Sequence, residues 1–235
     1  MQLDEAERDA LDNPVWAALT TRQSGLAVGG GLARRYPAEI GPFCAVREPS
    51  AQAFAALHQL AGDGGPLILV SAGPLPPLAQ FQVRPLGSAC QMLAAALEPA
   101  PPSVDFTRLG AADAHEMQQL AGLTRPGPFA RRTHELGEFI GIRVQGELVA
   151  MAGERMRPGS CVEVSAVCVH PQHRGAGYAR ALTQAVGSAI VRRGSLPFLH
   201  VFTANTPAIA LYGQLGYRTR RVLEVFELTP ITPAP

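Results

Sequence analysis

The residues best placed to do chemistry in this chain form a glycine-rich turn, Gln172-His-Arg-Gly175-Ala-Gly177, which follows Pro171. The apolar run before it, residues 162–169, predicts a buried strand, and the residues from Tyr178 onward have a helical composition. A strand that leads through such a turn into a helix presents backbone N–H groups at the positive end of the helix dipole. Glycine lets an anion approach the backbone closely. The turn therefore predicts a phosphate-binding site.

Two common phosphate-binding motifs fit this turn poorly. A Walker A loop requires a Gly-Lys-Ser/Thr sequence, and the chain contains no lysine. A dinucleotide-binding fingerprint requires a third small residue where Arg180 stands, and an acidic residue about twenty positions further along. Neither class of nucleotide site is indicated.

A third motif fits better, and a second motif supports it. The pattern Gln-x-x-Gly-x-Gly after Val-x-Val-x-Pro resembles motif A of the GCN5-related N-acetyltransferases (GNAT). Downstream, Asn205-x-x-Ala208-x-x-x-Tyr212-x-x-x-Gly216-Tyr217 resembles the second motif of that family, at the usual distance. The resemblance covers residues 103–229. The two-part layout of the chain is similar to the FR47-like and glycine N-acyltransferase branch, in which only the C-terminal half keeps motif A.

The resemblance implies that acetyl-CoA is the cosubstrate and that no metal is needed. The pyrophosphate would lie on the backbone N–H groups of residues 174–179, and the strand before the turn would bind the pantetheine amides through its main chain. The N–H of Cys168 or Val169 would polarise the thioester oxygen. Asn205 would bind the pantetheine arm, cap the next helix, or do both. The residues expected to bind the cofactor are Val167, Cys168, Val169, Gln172, Arg174, Gly175, Ala176, Gly177, Tyr178, Ala179, Arg180, Asn205, Ala208 and Tyr212.

The resemblance also implies an acid and a base. Tyr212 matches the tyrosine that often protonates the departing thiolate, and an aromatic core residue is the alternative interpretation. Glu163 occupies the position of the general-base glutamate in several acetyltransferases, and its apolar neighbours would raise its pKa; the alternative is a solvent-facing acid. His134 is the competing base. Together with Arg131 and Arg132, His134 would also bind an acceptor carboxylate.

The elements that must position these residues follow from hydrophobic periodicity and from Gly and Pro breaks. The sequence predicts a hairpin turn at Gln145-Gly146. Strands are predicted at 104–109, 138–144, 147–156, 161–169, 197–203 and 217–228, and helices at 111–123, 129–136, 177–193 and 207–215. This order resembles the α/β (α+β) GNAT fold, which has a central mixed, mostly antiparallel sheet.

The N-terminal portion has mixed α/β content but no Gln-x-x-Gly-x-Gly turn. Helices are predicted from Asp12-Asn13-Pro14 onward and at 51–61, and strands at 26–28, 43–46, 67–71 and 81–83. We interpret this portion as a degenerate GNAT-like half that serves as a lid or scaffold. The predicted organisation is an N-terminal half at 1–98, a Pro-rich linker at 99–103, a catalytic domain at 104–229 and a tail at 230–235.

The composition argues against several other classes of protein. The formal net charge of +1, with both signs mixed along the chain, gives no electrostatic case for nucleic acid. The cysteines form no CxxC pair or zinc pattern, so Cys161 and Cys168 are expected to be buried hydrophobes, and His200 a satisfied core histidine. No apolar run approaches the length of a membrane span, and the N-terminus lacks a secretory layout. We expect a cytoplasmic monomer or homodimer without membrane or nucleic-acid partners.

The function expected from these residues is acetyl-CoA-dependent N-acetyl transfer to the amine of a small molecule or amino acid. Direct transfer in a ternary complex is favoured, because Cys168 has no evident partner to activate its thiol. Two alternatives stay open. One is a CoA-binding sensor or scaffold without turnover, and the other is an N-acyltransferase that uses a longer acyl-CoA.

Overall fold

An eleven-stranded sheet runs through the protein, which a computed structural model describes for residues 3–62, 65–97 and 104–231. The strands are β1 Val28–Gly29, β2 Ala33–Arg35, β3 Phe43–Val46, β4 Leu67–Ser71, β5 Phe81–Leu93, β6 Thr107–Leu109, β7 Phe139–Val144, β8 Glu147–Glu154, β9 Cys161–Val169, β10 Leu196–Phe202 and β11 Arg218–Pro230. The α-helices are α1 Glu5–Asp12, α2 Pro14–Thr20, α3 Ala51–Ala61, α4 Ala114–Thr124, α5 Tyr178–Arg192 and α6 Thr206–Gln214. Single 3₁₀ turns lie at Ser24–Leu26, Ala111–Asp113, Thr133–Leu136 and Pro171–His173.

The sheet is mixed and mostly antiparallel, as predicted. Its strand order is β1-β2-β3-β4-β11-β5-β10-β9-β8-β7-β6. Among the described strands, only the pairs β3–β4 and β9–β10 are parallel, and each is connected through one helix, α3 or α5. Each of the two parts of the chain therefore contains one parallel strand–helix–strand unit, and the degenerate GNAT-like origin of the N-terminal half stays a prediction.

The two repeats exchange their last strands. In the N-terminal portion, β5 pairs with β10, in antiparallel register from Leu93↔Phe198 to Ala89↔Phe202. In the C-terminal portion, β11 pairs with β4 on one side and with β5 on the other. The predicted segments 1–98 and 104–229 thus share one continuous sheet, while the predicted linker at 99–103 lies outside the described residues. In the predicted tail, Pro230 still belongs to β11, and residues 232–235 are outside the described part.

Helices cover both faces of the sheet. On one face, α5 buries Leu182, Val186 and Ile190, spaced four residues apart, against apolar side chains of β9 and β10 such as Val162 and Leu199. On the opposite face, α1 and α2 pack against a cluster that includes Phe198 of β10. The cavity described below is lined by residues from both clusters, among them Val164 and Tyr212 of the first and Phe43 of the second.

Several elements differ from the sequence predictions. Only residues 81–83 were expected to be extended, whereas β5 continues to Leu93. Pro85 and Gly87 are residues that usually interrupt a strand, so the sequence did not predict this extension. Both lie where the pairing of β5 with β11 shifts, and Leu86 between them has no partner in the register. The expected helix at 129–136 is only a 3₁₀ turn at Thr133–Leu136. Residues 24–26 also form a 3₁₀ turn, and the nearby strand begins at Val28.

Two further elements have boundaries set by local chemistry. The helix α1 was not predicted, and a capping box between Asp4 and Glu7 fixes its start. The strand expected at 104–109 is limited to Thr107–Leu109, where it pairs with β7. The predicted hairpin turn is present, with Gln145 and Gly146 both at positive φ between β7 and β8.

Candidate active site

The strands β9 and β10 pair only at their first residues and then separate. Their register runs from Cys161↔Leu196 to Glu163↔Phe198, and residues 164–169 have no partner on the β10 side among the described strands. The backbone N–H and C=O groups on that edge are therefore available to an extended ligand, which would bind as an added strand. The wedge opens into a cavity of about 940 Å³, which is large enough for a cosubstrate and an acceptor.

A bulge bends β9 inside the wedge. Ala166 has a φ of 53°, which is unusual for a residue with a side chain, and the pairing with β8 shifts between Ser165 and Cys168. At the bulge, β9 has more residues than β8, so some residues of β9 have no pairing partner in β8. Backbone strain of this kind is often concentrated where a strand redirects its groups toward a ligand, and Ala166 does line the cavity.

The glycine-rich turn lies at one end of the cavity and forms the start of α5. Gly175 and Gly177 have φ values of 85° and 80°, and Gly177 precedes the helix without a side-chain cap. The backbone N–H groups of residues 175–180 donate to no acceptor within the described parts of the chain. Uncapped N–H groups at a helix N-terminus suit an anion, as the sequence predicted.

The cavity wall contains most of the residues expected to bind the cofactor. The exceptions are Gln172 and Ala176, which are exposed on the outer side of the turn. The lining includes Val167, Cys168, Val169, Arg174, Gly175, Gly177, Tyr178, Ala179, Arg180, Asn205, Ala208 and Tyr212. The sequence motifs thus converge on one cavity.

Asn205 can cap α6 and bind a ligand at the same time. Its Oδ1 accepts a hydrogen bond from the N–H of Ala208 at 3.3 Å and so caps α6. Its Nδ2 makes no hydrogen bond within the described residues, although the side chain lines the cavity. A donor is therefore left for a ligand carbonyl.

Tyr212 lies on α6 with its side chain on the cavity wall. Burial raises the pKa of its hydroxyl to about 12, so the phenol keeps its proton at neutral pH. Its ring meets that of Tyr217 edge to face, with 6.1 Å between the centroids. Tyr217 itself is fully buried, and its hydroxyl has no hydrogen-bond partner within the described residues. Of the two phenols, only that of Tyr212 lines the cavity.

Cys168 is a poor candidate for a covalent nucleophile. Its side chain is buried under α4, and burial raises the pKa of its thiol to about 11 although Thr124 lowers it slightly. A thiol with this pKa carries almost no thiolate at neutral pH, and the thiolate is the nucleophilic form.

The pKa expected for Glu163 is wrong. The side chain is fully buried, as an apolar strand would predict, and burial does raise the pKa of its carboxyl. The charge and hydrogen bonds of Arg155, and then the hydrogen bond from His200, outweigh burial and hold the pKa at about 2, below its ordinary value of 4.5. A carboxylate with this pKa is a weak base, and it does not line the cavity.

Four donors surround the carboxylate of Glu163. Arg155 donates from Nε at 2.8 Å and from Nη2 at 2.6 Å, and His200 donates from Nδ1 at 2.7 Å. The backbone N–H of Met156 adds a weaker contact at 3.4 Å. Every partner is a donor, so the ionised form is strongly favoured over the protonated one.

His200 is a satisfied histidine, as the sequence predicted. Its Nε2 lies 3.2 Å from Nε2 of Gln91, an amide whose orientation is fixed because it also donates to the carbonyl of Leu11 and accepts from Arg220. The amide must therefore donate to His200, which assigns the imidazole as the neutral tautomer protonated at Nδ1. The lone pair on Nε2 of His200 accepts the hydrogen bond from Gln91, so His200 does not replace Glu163 as a base.

The residues predicted for the acceptor side lie elsewhere. His134, Arg131 and Arg132 are not on the cavity wall. Because the expected helix is only a 3₁₀ turn, Arg132 is held away from the cavity by a two-pronged contact with Glu135 and by Glu39 of the N-terminal half at 3.0 Å. The structure therefore does not bring these three residues to the cavity, and their role toward an acceptor stays a prediction.

Sequence reasoning missed two arginines on the cavity wall. Arg155, just after β8, and Arg125, at the left-handed end of α4, both line the cavity. Arg125 precedes the Pro126-Gly127-Pro128 break, which is a signal that could have drawn attention to it. Nothing in the local sequence around Arg155 distinguishes it from a surface residue.

The N-terminal half supplies an apolar part of the same wall. The side chains of Phe43, Ile68, Val70, Leu86 and Ala89 line the cavity together with Val225 of β11. They come from β3, β4 and β5, the strands that continue the sheet beyond β10. The N-terminal half is therefore part of the site.

Two features are absent from the described residues. These residues contain no cluster of His, Cys, Asp and Glu arranged to hold a metal ion. None of their helices is both long and apolar enough to cross a membrane.

Comparisons with known proteins give a consistent answer. The profile of the FR47-like protein family matches residues 139–225. A structure from Novosphingobium aromaticivorans, described provisionally as an acetyltransferase from the GNAT family, is 39% identical over 97% of this chain and 100% of that chain, with a TM-score of 0.85. A GCN5-related N-acetyltransferase from Kribbella flavida covers 98% of each chain at 17% identity, with a TM-score of 0.64, and shows the shared fold. No functionally curated protein matches the sequence.

Proposed function

Because the chain belongs to the GCN5-related N-acetyltransferase (GNAT) family, we propose that it moves an acetyl group from acetyl-CoA to the amine of a small molecule or amino acid. Family members transfer an acyl group from acyl-CoA to an amine. The observation that supports this proposal most is the continuity of the wedge. The unpaired edge of β9 leads directly to the uncapped N–H groups at the start of α5.

The residues on the cavity wall fit an acyl-CoA in detail. The free backbone N–H groups of residues 175–179 would hold the pyrophosphate, helped by the side chains of Arg174 and Arg180. The open edge of β9 and the free Nδ2 of Asn205 would bind the pantetheine amides. The sulfur end of the arm would then lie near Tyr212.

Acetyl transfer to an amine needs one nucleophilic attack and two proton transfers. A neutral amine attacks the thioester carbonyl, a C–N bond forms, the C–S bond breaks, and the nitrogen loses one proton. The phenol of Tyr212 gives its proton to the leaving thiolate and regains one from solvent. Since Glu163 is ionised, buried and fully partnered, the acceptor would lose its proton to water or enter as the free amine.

A direct assay tests the proposal. The protein is incubated with acetyl-CoA and a panel of amines and amino acids, and the free thiol of CoA is measured. Thiol release that depends on an amine supports acetyl transfer. Tight CoA binding without release for any amine would instead favour a sensor or scaffold. Faster release from butyryl-CoA or benzoyl-CoA than from acetyl-CoA would favour a longer acyl donor.

A further inference from the structure

One edge of the guanidinium group of Arg155 is hydrogen-bonded, and the other edge has free donors. Its Nε and Nη2 donate to Glu163, which uses one edge of the planar group. Its Nη1 makes no hydrogen bond to any described residue, and the side chain lines the cavity. Gly127, on the loop across from it, has no side chain, and a Cβ built there would lie 3.9 Å from Nη1. Because Nη1 has no partner among the described residues and the side chain lines the cavity, the open edge is available to a ligand there.

Arg155 is held rigidly although one edge is open. Glu163 fixes its position, and Phe43 of the N-terminal half lies under its guanidinium plane, with 4.6 Å from Cζ to the ring centroid. Glu163 is in turn fixed by His200, whose orientation is set by Gln91. A cation that is already ordered loses little entropy when it binds an anion.

The donors left on Arg155 have the geometry of a fork. Of its five N–H groups, Glu163 takes one on Nε and one on Nη2, so two on Nη1 and one on Nη2 are left. Such a fork matches the two oxygens of a carboxylate, which it binds through parallel hydrogen bonds. A neutral carbonyl would use only part of it.

The surface beside Arg155 is apolar and broad. Phe43, Ile68, Val70 and Val225 line the cavity from β3, β4 and β11. They give a ligand a hydrocarbon floor in the same cavity as the ordered, partly open guanidinium group of Arg155. A ligand that satisfies both features has a carboxylate and an apolar body.

We infer that Arg155 binds the carboxylate of the acceptor, and that the acceptor is an amino acid whose apolar side chain lies on this floor. The inference rests on the proposed acetyl transfer, because it identifies the amine that is acetylated. The N-terminal half thereby selects the acceptor, while the C-terminal half holds the acetyl-CoA.

Matched acceptors test the inference on the unmodified protein. Leucine, leucinamide and isopentylamine share a side chain and an amine but differ in the carboxylate, and glycine lacks the apolar body. Because these amines differ in pKa, kcat/KM is calculated on the concentration of unprotonated amine, and we expect the value for leucine to exceed that for each of the other three by about tenfold or more. Equal or better use of leucinamide would overturn the role of the carboxylate. Equal use of glycine would overturn that of the floor.

A double variant tests whether the preference for a carboxylate depends on Arg155, and it leaves no buried charge unpaired. Arg155→Gln with Glu163→Gln removes both charges, and we expect the KM for leucine to rise about tenfold or more while that for leucinamide is unchanged. Arg132→Gln is the control, because that arginine lies off the cavity wall. Loss of the preference for leucine in Arg132→Gln, or its survival in the double variant, would overturn the inference.

A binding measurement separates this inference from the proposed function. N-acetyl-leucine and N-acetyl-leucinamide are titrated by calorimetry into the protein saturated with CoA. If no amine is acetylated, the proposed function fails, and tighter binding of the acid than of the amide still supports the carboxylate site. Equal binding of the two, or no binding of either, overturns the site even if another amine is acetylated.

Discussion

The carboxylate of Glu163 and the imidazole of His200 meet at 2.7 Å, at the point where β9 and β10 begin to separate. Glu163 is in the last residue pair between these strands, and His200 is the second residue of β10 beyond that pair. Their contact joins the two strands just where backbone pairing stops. Glu163 therefore anchors the closed end of the wedge, and its carboxylate has a structural role that its strand position did not suggest.

Removing the charge of Glu163 is expected to destabilise the protein strongly. In Glu163→Gln the buried Arg155 loses its counter-charge, and breaking a buried ion pair in this way costs about 3–5 kcal/mol. Urea unfolding of the variant and the parent protein near neutral pH measures the difference. Glu227→Gln is the control, since it breaks an exposed pair with Arg84 that is worth about 0–1 kcal/mol.

The same residue predicts how stability depends on pH. Because the pKa of Glu163 is about 2 in the folded protein, below its ordinary 4.5, its contribution is present above pH 4.5. That contribution is lost as the pH falls through 4.5 toward 2. The difference in unfolding free energy between the parent and Glu163→Gln should therefore narrow over this range. A difference that stays constant with pH would contradict the ion pair.

The glycine turn is expected to be essential for CoA binding. Gly177→Glu puts a carboxylate and a strained φ at the anion site, and it should abolish the stabilisation by CoA, which is about 2.7 kcal/mol at 100 times the dissociation constant. Gly194→Glu is a matched control, because Gly194 also has a positive φ but follows the other end of α5. Thermal shifts with and without CoA compare the two. A normal shift in Gly177→Glu would refute the site.

A test of proton donation compares two tyrosines. Tyr212→Phe removes the phenol on the cavity wall and should lower kcat with little change in the affinity for acetyl-CoA. Tyr217→Phe removes a buried hydroxyl that has no partner within the described residues, so activity and stability should hardly change. Since the pKa of Tyr212 is about 12, kcat should not decline from loss of its proton until the pH approaches that value. A kcat for Tyr212→Phe equal to that of the parent would exclude it as the acid.

The two roles of Asn205 can be separated by substitution. Serine keeps an oxygen that can cap α6 but lacks the amide donor, so Asn205→Ser should weaken acetyl-CoA binding while leaving stability nearly unchanged. Asn205→Ala should weaken binding to a similar degree and also cost about 1 kcal/mol of stability. Calorimetry and urea unfolding measure the two effects. Unchanged affinity in both variants would leave Asn205 as a helix cap alone.

Direct transfer predicts that Cys168 is dispensable. Cys168→Ala should retain most of the activity, and mass spectrometry of the parent after incubation with acetyl-CoA alone should show no acetylated cysteine. The physical reason is the raised pKa of its thiol, which leaves little thiolate to react. An acetyl group found on Cys168 that an amine then removes would establish a covalent route instead.

Features that depend on a few adjacent residues could be predicted from the sequence. The glycine turn, the cap at Asn205 and the strand–helix order around them follow from local patterns, and the structure brings them to one cavity. The sequence places Glu163 on the correct strand, but it predicts a raised pKa for a carboxyl whose pKa is lowered in the structure. The two partners that lower this pKa, Arg155 and His200, stand 8 residues before it and 37 residues after it in the chain.

The wall that we propose for the acceptor was less predictable, for the same physical reason. It combines Arg155 with Phe43 and Val70, which reach the cavity only because β11 and β5 join the two halves in one sheet. Long-range strand pairing leaves no periodic signal in the local sequence. His134 and its neighbouring arginines seemed suitable by type, and the short 3₁₀ turn placed them elsewhere.

The exchange of β5 and β11 constrains how the chain can reach its native state. When residues 81–93 emerge from the ribosome, neither β10 nor β11, the two strands that flank β5, has been made, and β4 has β3 on one side but lacks β11 on the other. An early chain thus exposes unpaired edges of β4 and β5 that are prone to pair with other chains. Contacts so distant in sequence slow folding, and neither half can finish before the other. We expect hydrogen exchange to detect β4, β5, β10 and β11 as a single cooperative unit.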